Sequence, residues 1–212
     1  MPWVETERKA LVETLRSTAP TAPTLCVGWD ARHLAAHLVQ REHDLVATVG
    51  DAVVKREPGS ERFLGRLVAD AESEDGYQRL IDRFEQGPPR WSPFSWAAEN
   101  INLLEYVVHH EDVRRGAGAV VPRALPAEEL RSLWTKLPMM ASLTYRSSPV
   151  GVTFARPSGG RRVVHKGPDG VELVGEPVEL ALYLTGRREA ADVEVTGLPD
   201  PVARFTSWVQ SR

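Results

Sequence analysis

The chain has 212 residues, of which 42% are hydrophobic and 26% charged, with a formal net charge of −3. That balance excludes a disordered chain, and it lacks the basic excess of a general nucleic-acid binder. A single cysteine, Cys26, rules out an intrachain disulfide, and no apolar run nears the roughly 18–20 residues of a membrane span.

The first segment, WVETERKALVETLRST, places Val4, Leu11 and Leu15 at helical spacing. Nothing in it resembles an apolar signal core, so a cytoplasmic location is expected. The two prolines of TAPTAPTL end the first helix. Cys26 follows and reads as a small apolar filler ahead of the second helix rather than as a reactive thiol. In GWDARHLAAHLVQREHDLVATVGDAV, Asp30 is the expected N-cap, and Leu34, Leu38 and Leu45 are expected on one face. A third helical stretch covers about 59–87, in two pieces if Ser73–Gly76 interrupts it. The prolines of GPPRWSP end it. A fourth helix runs from about Phe94 to Arg115 and stops at GAG. Four amphipathic helices with modest connections predict a four-helix bundle over residues 1–120.

The character changes after Gly118. A helix is expected over 127–143, bent or divided at Pro138. Short β-type runs follow, VGVTFAR, RRVVHKG and VELVG, with SGG and GPDG between them as hairpin turns. PVELALYLTG predicts a short helix, DVEVTG a strand and PDPVARFTSWVQ a closing helix. Residues 121–212 therefore read as a small α+β domain, and the whole as an α+β chain in two parts.

One stretch carries candidate chemistry. In NLLEYVVHHEDVRR, Glu105 and His109 lie four residues apart, nearly superposed around the helix and about 6 Å apart along its axis. His110 is turned about 100° away, and Asp112 returns to the Glu105 face. Ile101, Leu104 and Val108 form the adjacent apolar arc, so Glu105 and His109 sit at the edge of a buried stripe. A carboxylate there is expensive without a partner. On the second helix His37 flanks the apolar face, His33 lies nearer the surface, and His43 points to the far side. Only His37 is placed to meet the fourth helix inside a bundle. Two imidazoles and a carboxylate with one open position form a known catalytic zinc set, which also suits nickel or iron. Asp112 could accept a hydrogen bond from a ligand histidine. The bland alternatives stand beside this. Glu and His at i, i+4 are common on helix surfaces, and a lone histidine on a helix flank is usually a hydrogen-bonded core residue.

The resemblance of these motifs to a known superfamily narrows the choice. GWDARHLAAHL, with Trp29, His37 and Leu38, resembles the second-helix signature of the DinB-like bundle proteins. EYVVHHEDV, with Glu105, His109, Asp112 and Val113, resembles the fourth-helix signature of the mycothiol-dependent maleylpyruvate isomerase-like branch. GEPVELALYLTGR, with Gly175, Pro177, Glu179, Leu180, Leu184, Gly186 and Arg187, resembles that branch's second domain. The stretch from about 50 to 93 carries no nameable motif, and the C-terminal part looks short for the isomerase branch. The resemblance implies a DinB-like bundle with a divalent metal, zinc first and nickel second, on His37, Glu105 and His109. It also implies an actinobacterial setting with mycothiol as the thiol.

The function expected is that of a mycothiol-dependent thiol transferase or isomerase. Its metal-activated thiolate would add to an electrophilic double bond or displace a leaving group. The alternatives are a metal-dependent hydrolase, a non-catalytic metal- or ligand-binding protein on the same scaffold, or a metal-free, stress-related interaction protein. Arg41, one turn beyond His37, faces the same interior. It could pair with Glu105 or contact an anionic substrate, although snorkelling at the bundle rim explains it more simply. Trp91 and Trp96 read as aromatic packing at the bundle end, and Met139 and Met140 as packing. The paired arginines at 161–162 and 187–188 read as solvated ends, and His165 as facing water or a local partner. The α+β part is open to a hydrophobic ligand or to a homodimer contact. No nucleic acid or membrane partner is expected.

Overall fold

The structure is a computed structural model that describes residues 2–54, 56–96, 98–118 and 121–211. The side chains of Trp96 and Ile101 lie outside the described part. The chain separates into two compact units, Met1–Pro122 and Arg123–Arg212.

The first unit is helical. Its elements are α1 (Pro2–Arg16), α2 (Ala31–His43), α3 (Leu45–Val53), α4 (Arg62–Asp70), α5 (Glu74–Glu85), α6 (Pro93–Trp96) and α7 (Ala98–Arg115). These are more, and shorter, than four long helices. Asp44 is one reason. Its backbone leaves the helical region while its N–H still reaches the Gln40 carbonyl, and its carboxylate then caps the Ala47 N–H of α3. An Asp that can cap starts a new helix where the apolar pattern alone would continue the old one. Leu45 consequently leaves the Leu34/Leu38 face and is 43% exposed. Ser73 acts in the same way. Its hydroxyl accepts from the Gly76 N–H, so the third predicted stretch is two helices, α4 and α5.

Helix α1 packs on α7 and α5, and α2 packs on α3, α4 and α5. The core between them holds Leu11, Leu15, Leu34, Leu38, Ile81, Phe84, Leu103 and Val107, all essentially sealed from water. A buried polar hub ties four of these helices. Arg8 of α1 makes a two-pronged ion pair with Glu42 of α2 at 2.9 and 3.0 Å and donates to the Phe84 carbonyl of α5 at 2.7 Å. Tyr106 of α7 hydrogen-bonds both Arg8 and Glu42. The guanidinium also lies over the Phe84 and Tyr106 rings. A charge this deep is tolerated because both of its terminal nitrogens are paired, while Nε has no hydrogen-bond partner among the described residues. Asp51 of α3 takes the capping role at α4. Its carboxylate accepts from the N–H groups of Phe63 and Leu64, at 3.1 and 2.9 Å, while Glu61 at the N-cap makes no side-chain cap.

The second unit contains α8 (Ala127–Thr144), β1 (Gly151–Ala155), β2 (Arg161–His165), β3 (Gly170–Val174), α9 (Pro177–Leu184), a 3₁₀ turn (Arg188–Ala190), β4 (Glu194–Gly197) and α10 (Pro199–Gln210). Helix α8 runs through Pro138 without division. The sheet order is β2-β1-β3-β4. Strand β1 is antiparallel to β2 and parallel to β3, and β4 closes the far side antiparallel to β3. SGG makes the expected β1–β2 hairpin. GPDG does not make a hairpin, because β2 and β3 are not neighbours and this segment passes the start of β1. The crossing is tight: a Cβ on Gly167 would sit 2.3 Å from the Gly151 nitrogen, and Gly151 N–H donates to the Asp169 carbonyl at 2.6 Å. Two glycines let the backbones meet where side chains would forbid it. Phe154, Leu173, Leu180, Phe205 and Tyr145 form this unit's core, with Tyr145 and Phe205 rings 5.8 Å apart. Met139 is 52% exposed and Met140 half-buried, so Met139 packs little. Arg161 and Arg162 are exposed, as expected of solvated ends. His165 is half-buried opposite Val152.

Candidate metal centre

The site lies between α2 and α7. Asp30 starts α2 by accepting from the His33 N–H at 2.9 Å, and its carboxylate also holds the His33 ring at 2.7 Å. His33 is thereby engaged at the helix start. His37, one turn on, faces α7, with the Trp29 ring 5.0 Å from its own. Helix α7 contributes Glu105 and His109, and Leu104 and Val108 bury the adjacent arc. Glu105 Oε1 lies 3.0 Å from His109 Nε2 and 3.4 Å from His37 Nε2. All three donor atoms fall within 4.8 Å of one another. Neighbouring donors around a tetrahedral zinc with bonds of about 2.1 Å stand roughly 3.4 Å apart. The donor set and its spacing therefore fit a divalent cation.

The surroundings support that fit. His109 Nδ1 lies 2.8 Å from Asp112 Oδ2, and Asp112 is wholly buried. With its Nδ1 proton held there, His109 directs Nε2 at Glu105 and His37. Burial works against charge on His109, but bonds to Asp112, Cys26 and Glu105 outweigh it and hold the imidazole pKa well above the ordinary value. Burial would likewise raise the Glu105 carboxyl, yet His109, His37 and the nearby charge of Arg41 hold it well below the usual carboxylate range. Burial lowers the His37 pKa. The cluster thus sets the Glu105 carboxylate between the Nε2 atoms of two imidazoles.

Arg41 does not snorkel. It is 6% exposed, stacks over Phe94 at 4.3 Å and places Nε 3.6 Å from Glu105 Oε1. Its Nη1 has no hydrogen-bond partner among the described residues. His43 is half-buried rather than solvated. Burial and the charge of Arg83 lower its pKa. Trp91 is 73% exposed and is not packed at the bundle end. Cys26 is more than filler: its Sγ lies 3.1 Å from Asp112 Oδ2. His110 points away from the cluster and is held by Glu7 at 2.8 Å and Thr14 at 2.7 Å.

Sequence reasoning missed the Arg8–Glu42–Tyr106 hub and the Glu7–His110 pair. A signal existed for the first. Arg8 falls on the same helical stripe as Val4, Leu11 and Leu15, so it had to be buried and paired.

Residues 4–92 match the family model "Mycothiol maleylpyruvate isomerase N-terminal domain". The match includes His37 and reaches through the stretch from 50 onwards in which no motif was legible. Two solved structures share the fold. One is the mycothiol-dependent maleylpyruvate isomerase, with TM-score 0.60 and 16% identity over 94% of this chain and 93% of that one. The other is a histidine-to-alanine mutant of that enzyme, with TM-score 0.59 and 16% identity over the same shares. With 93% of the isomerase chain covered, the C-terminal part is not short for that branch. No curated protein matches the sequence. Residues 4–92 thus resemble the N-terminal domain of that family in sequence, and the chain as a whole shares the fold of the solved isomerase.

Proposed function

We propose that the chain is a divalent-metal-binding, thiol-dependent isomerase or transferase of the cytoplasm, with mycothiol as its thiol. Its helical bundle, residues 1–120, is the metal-carrying domain in this reading, and residues 121–212 form the second domain. The observation that carries the proposal is the convergence of His37, Glu105 and His109 from two helices, with Asp112 fixing which His109 nitrogen faces the site. The setting is actinobacterial, where mycothiol is the bulk thiol. The metal is zinc first and nickel second, since imidazole and carboxylate donors suit both.

When bound, the cation supplies Lewis acidity that favours the anionic form of a thiol at neutral pH. The chain's own groups do the rest. Asp112 holds the His109 Nδ1 proton and so orients the ring. The Trp29 ring lies against His37 and limits its rotation. Arg41, stacked on Phe94, keeps a positive charge beside Glu105 and provides an anchor for an anionic substrate. In the isomerase form the thiol adds to an electron-poor double bond, the resulting single bond rotates, and the same thiol leaves.

Metal analysis of protein purified without a histidine tag tests the site. About one zinc or nickel per chain is expected, lost in His37→Ala and His109→Ala. Turnover of an electrophile panel with and without mycothiol tests the reaction. Absence of metal under every loading condition rejects the site, and thiol-independent or absent turnover rejects the enzyme reading.

A further inference from the structure

His109 presents its two nitrogens to two different donor groups. Nε2 faces Glu105 and His37. Nδ1 faces Asp112 Oδ2 at 2.8 Å, and Cys26 Sγ lies 3.1 Å from that same oxygen. The donor atoms of Cys26, His109 and Asp112 all lie within 4.8 Å of one another. We propose that these three residues form a second cation site, selective for thiophilic ions such as copper(I), cadmium or zinc, whose occupation excludes an ion from the His37–Glu105–His109 set.

The loop that carries Cys26 is fastened to α7 at this point. Leu25 N–H donates to the Asp112 carbonyl at 3.0 Å, so Asp112 grips the loop by its backbone while its carboxylate meets the thiol. Thr24 accepts from the Cys26 N–H at 3.2 Å and donates to the Trp29 carbonyl at 2.8 Å. At the end of α7, Gly116 lets the loop approach: a Cβ there would lie 2.0 Å from the Pro23 carbonyl oxygen. The sulfur is therefore held in place rather than carried on a free loop.

The spacing is that of a site slightly contracted around protons. With bonds of about 2.3 Å to sulfur and 2.1 Å to nitrogen or oxygen, tetrahedral donors stand roughly 3.4–3.6 Å apart. Opening the contacts of 3.1 and 2.8 Å by about half an ångström would admit an ion. The charges suit a cation as well. A Cys26 thiolate and the Asp112 carboxylate together match a divalent ion, and sulfur selects for soft metals over hard ones. Cys26 is half-buried within its unit.

Mutual exclusion follows from the tautomer. To ligate through Nδ1, His109 must carry its proton on Nε2, where it donates to Glu105. Nε2 then has no lone pair for the first set. One neutral imidazole serves one set or the other.

Cadmium titration of the full chain tests this, read by the ultraviolet sulfur-to-cadmium charge-transfer band. The band is expected in the wild type and in His37→Ala, to be absent in Cys26→Ala, and to need at least tenfold more cadmium in Asp112→Asn and His109→Ala. Nitrogen NMR of wild-type histidines adds a measurement that no folding defect can confuse: the His109 Nδ1 resonance should shift on cadmium binding. Protein preloaded with nickel should release it as the band grows. A band with unchanged midpoint in His109→Ala, or an unmoved Nδ1 resonance, would overturn the site. Band growth with nickel retained would overturn the exclusion. The proposal does not rest on the functional reading. If neither zinc nor nickel occupies the His37–Glu105–His109 set but the cadmium band behaves as described, the functional reading and the exclusion fail and the thiolate site stands.

Discussion

Substituting Glu42→Ala should destabilise the protein by about 3–5 kcal/mol, the usual consequence of stripping one partner from a buried ion pair. Arg8 and Glu42 are 2% and 1% exposed, and the guanidinium meets both carboxylate oxygens at 2.9 and 3.0 Å. At about 3 Å and an effective dielectric of about 20, the direct attraction is roughly 5 kcal/mol. Removing the carboxylate leaves the buried guanidinium with the Phe84 carbonyl, Tyr106 and two ring faces, none of which carries a compensating charge. For a chain of this size, each kcal/mol moves the melting temperature by about 2–4 °C, so a fall of about 8–16 °C is expected at 4 kcal/mol. Urea denaturation followed by circular dichroism gives the free energy directly, provided the slope stays that of the wild type. The double variant Arg8→Met with Glu42→Leu should recover most of the loss, because an apolar pair avoids the desolvation penalty. The hub also joins α2 to α7 beside the candidate metal centre, with Tyr106 next to Glu105, so Glu42→Ala should weaken metal binding as well. A loss below about 1 kcal/mol, the level of an exposed pair, would refute the claim that this charge is buried and dependent on Glu42.

Three further expectations follow from single contacts. Asp112→Asn should lower nickel or zinc affinity by about 10–100-fold, measured with a competing chelator, because the carboxylate no longer holds the His109 proton; equal affinity would show that Asp112 does not orient the ring. Arg41→Met should raise KM for an anionic electrophile at least tenfold while leaving metal content unchanged, and equal KM values for charged and neutral substrates in both proteins would exclude its anchoring role. Asp51→Asn should cost about 1–2 kcal/mol near neutral pH, since the carboxylate caps the start of α4. Burial would raise the Asp51 pKa, but Gln40 and the N–H groups of Phe63, Leu64 and Arg62 hold it below the ordinary 3.8. The folded carboxyl is thus the stronger acid. Its contribution is present above that ordinary value and is lost as pH falls through the folded pKa, so denaturation curves of the two proteins should converge in acid.

Much of the framework was legible in the residues. Helical spacing placed Val4, Leu11 and Leu15 in the core, Asp30 marked the start of α2, and alternation with turn residues located β1, β2 and β3. Helical geometry also put Glu105 and His109 on one face. These are local properties, set by φ/ψ preferences, capping chemistry and the 3.6-residue period. Sequence patterning could not settle Leu45, because an apolar period and a capping aspartate made opposite demands at Asp44 and the cap prevailed. Strand neighbours were equally out of reach: whether GPDG turns back or crosses β1 depends on two distant glycines meeting, Gly151 and Gly167.

By itself, then, the order of residues determined which segments are helix or strand, which faces they bury, and that His37 and the Glu105–His109 pair look inward. Only the tertiary structure decided that Glu105 meets both imidazoles, that Arg41 is buried beside them, and that Cys26 closes on Asp112 from a loop 86 residues away in sequence. The physical reason is that spacing along a chain constrains directions around one helix axis. A site made from two helices and a loop depends on their separation and rotation. Those are set by the summed packing of the core and by a buried ion pair whose distant partner, Glu42, no local pattern names.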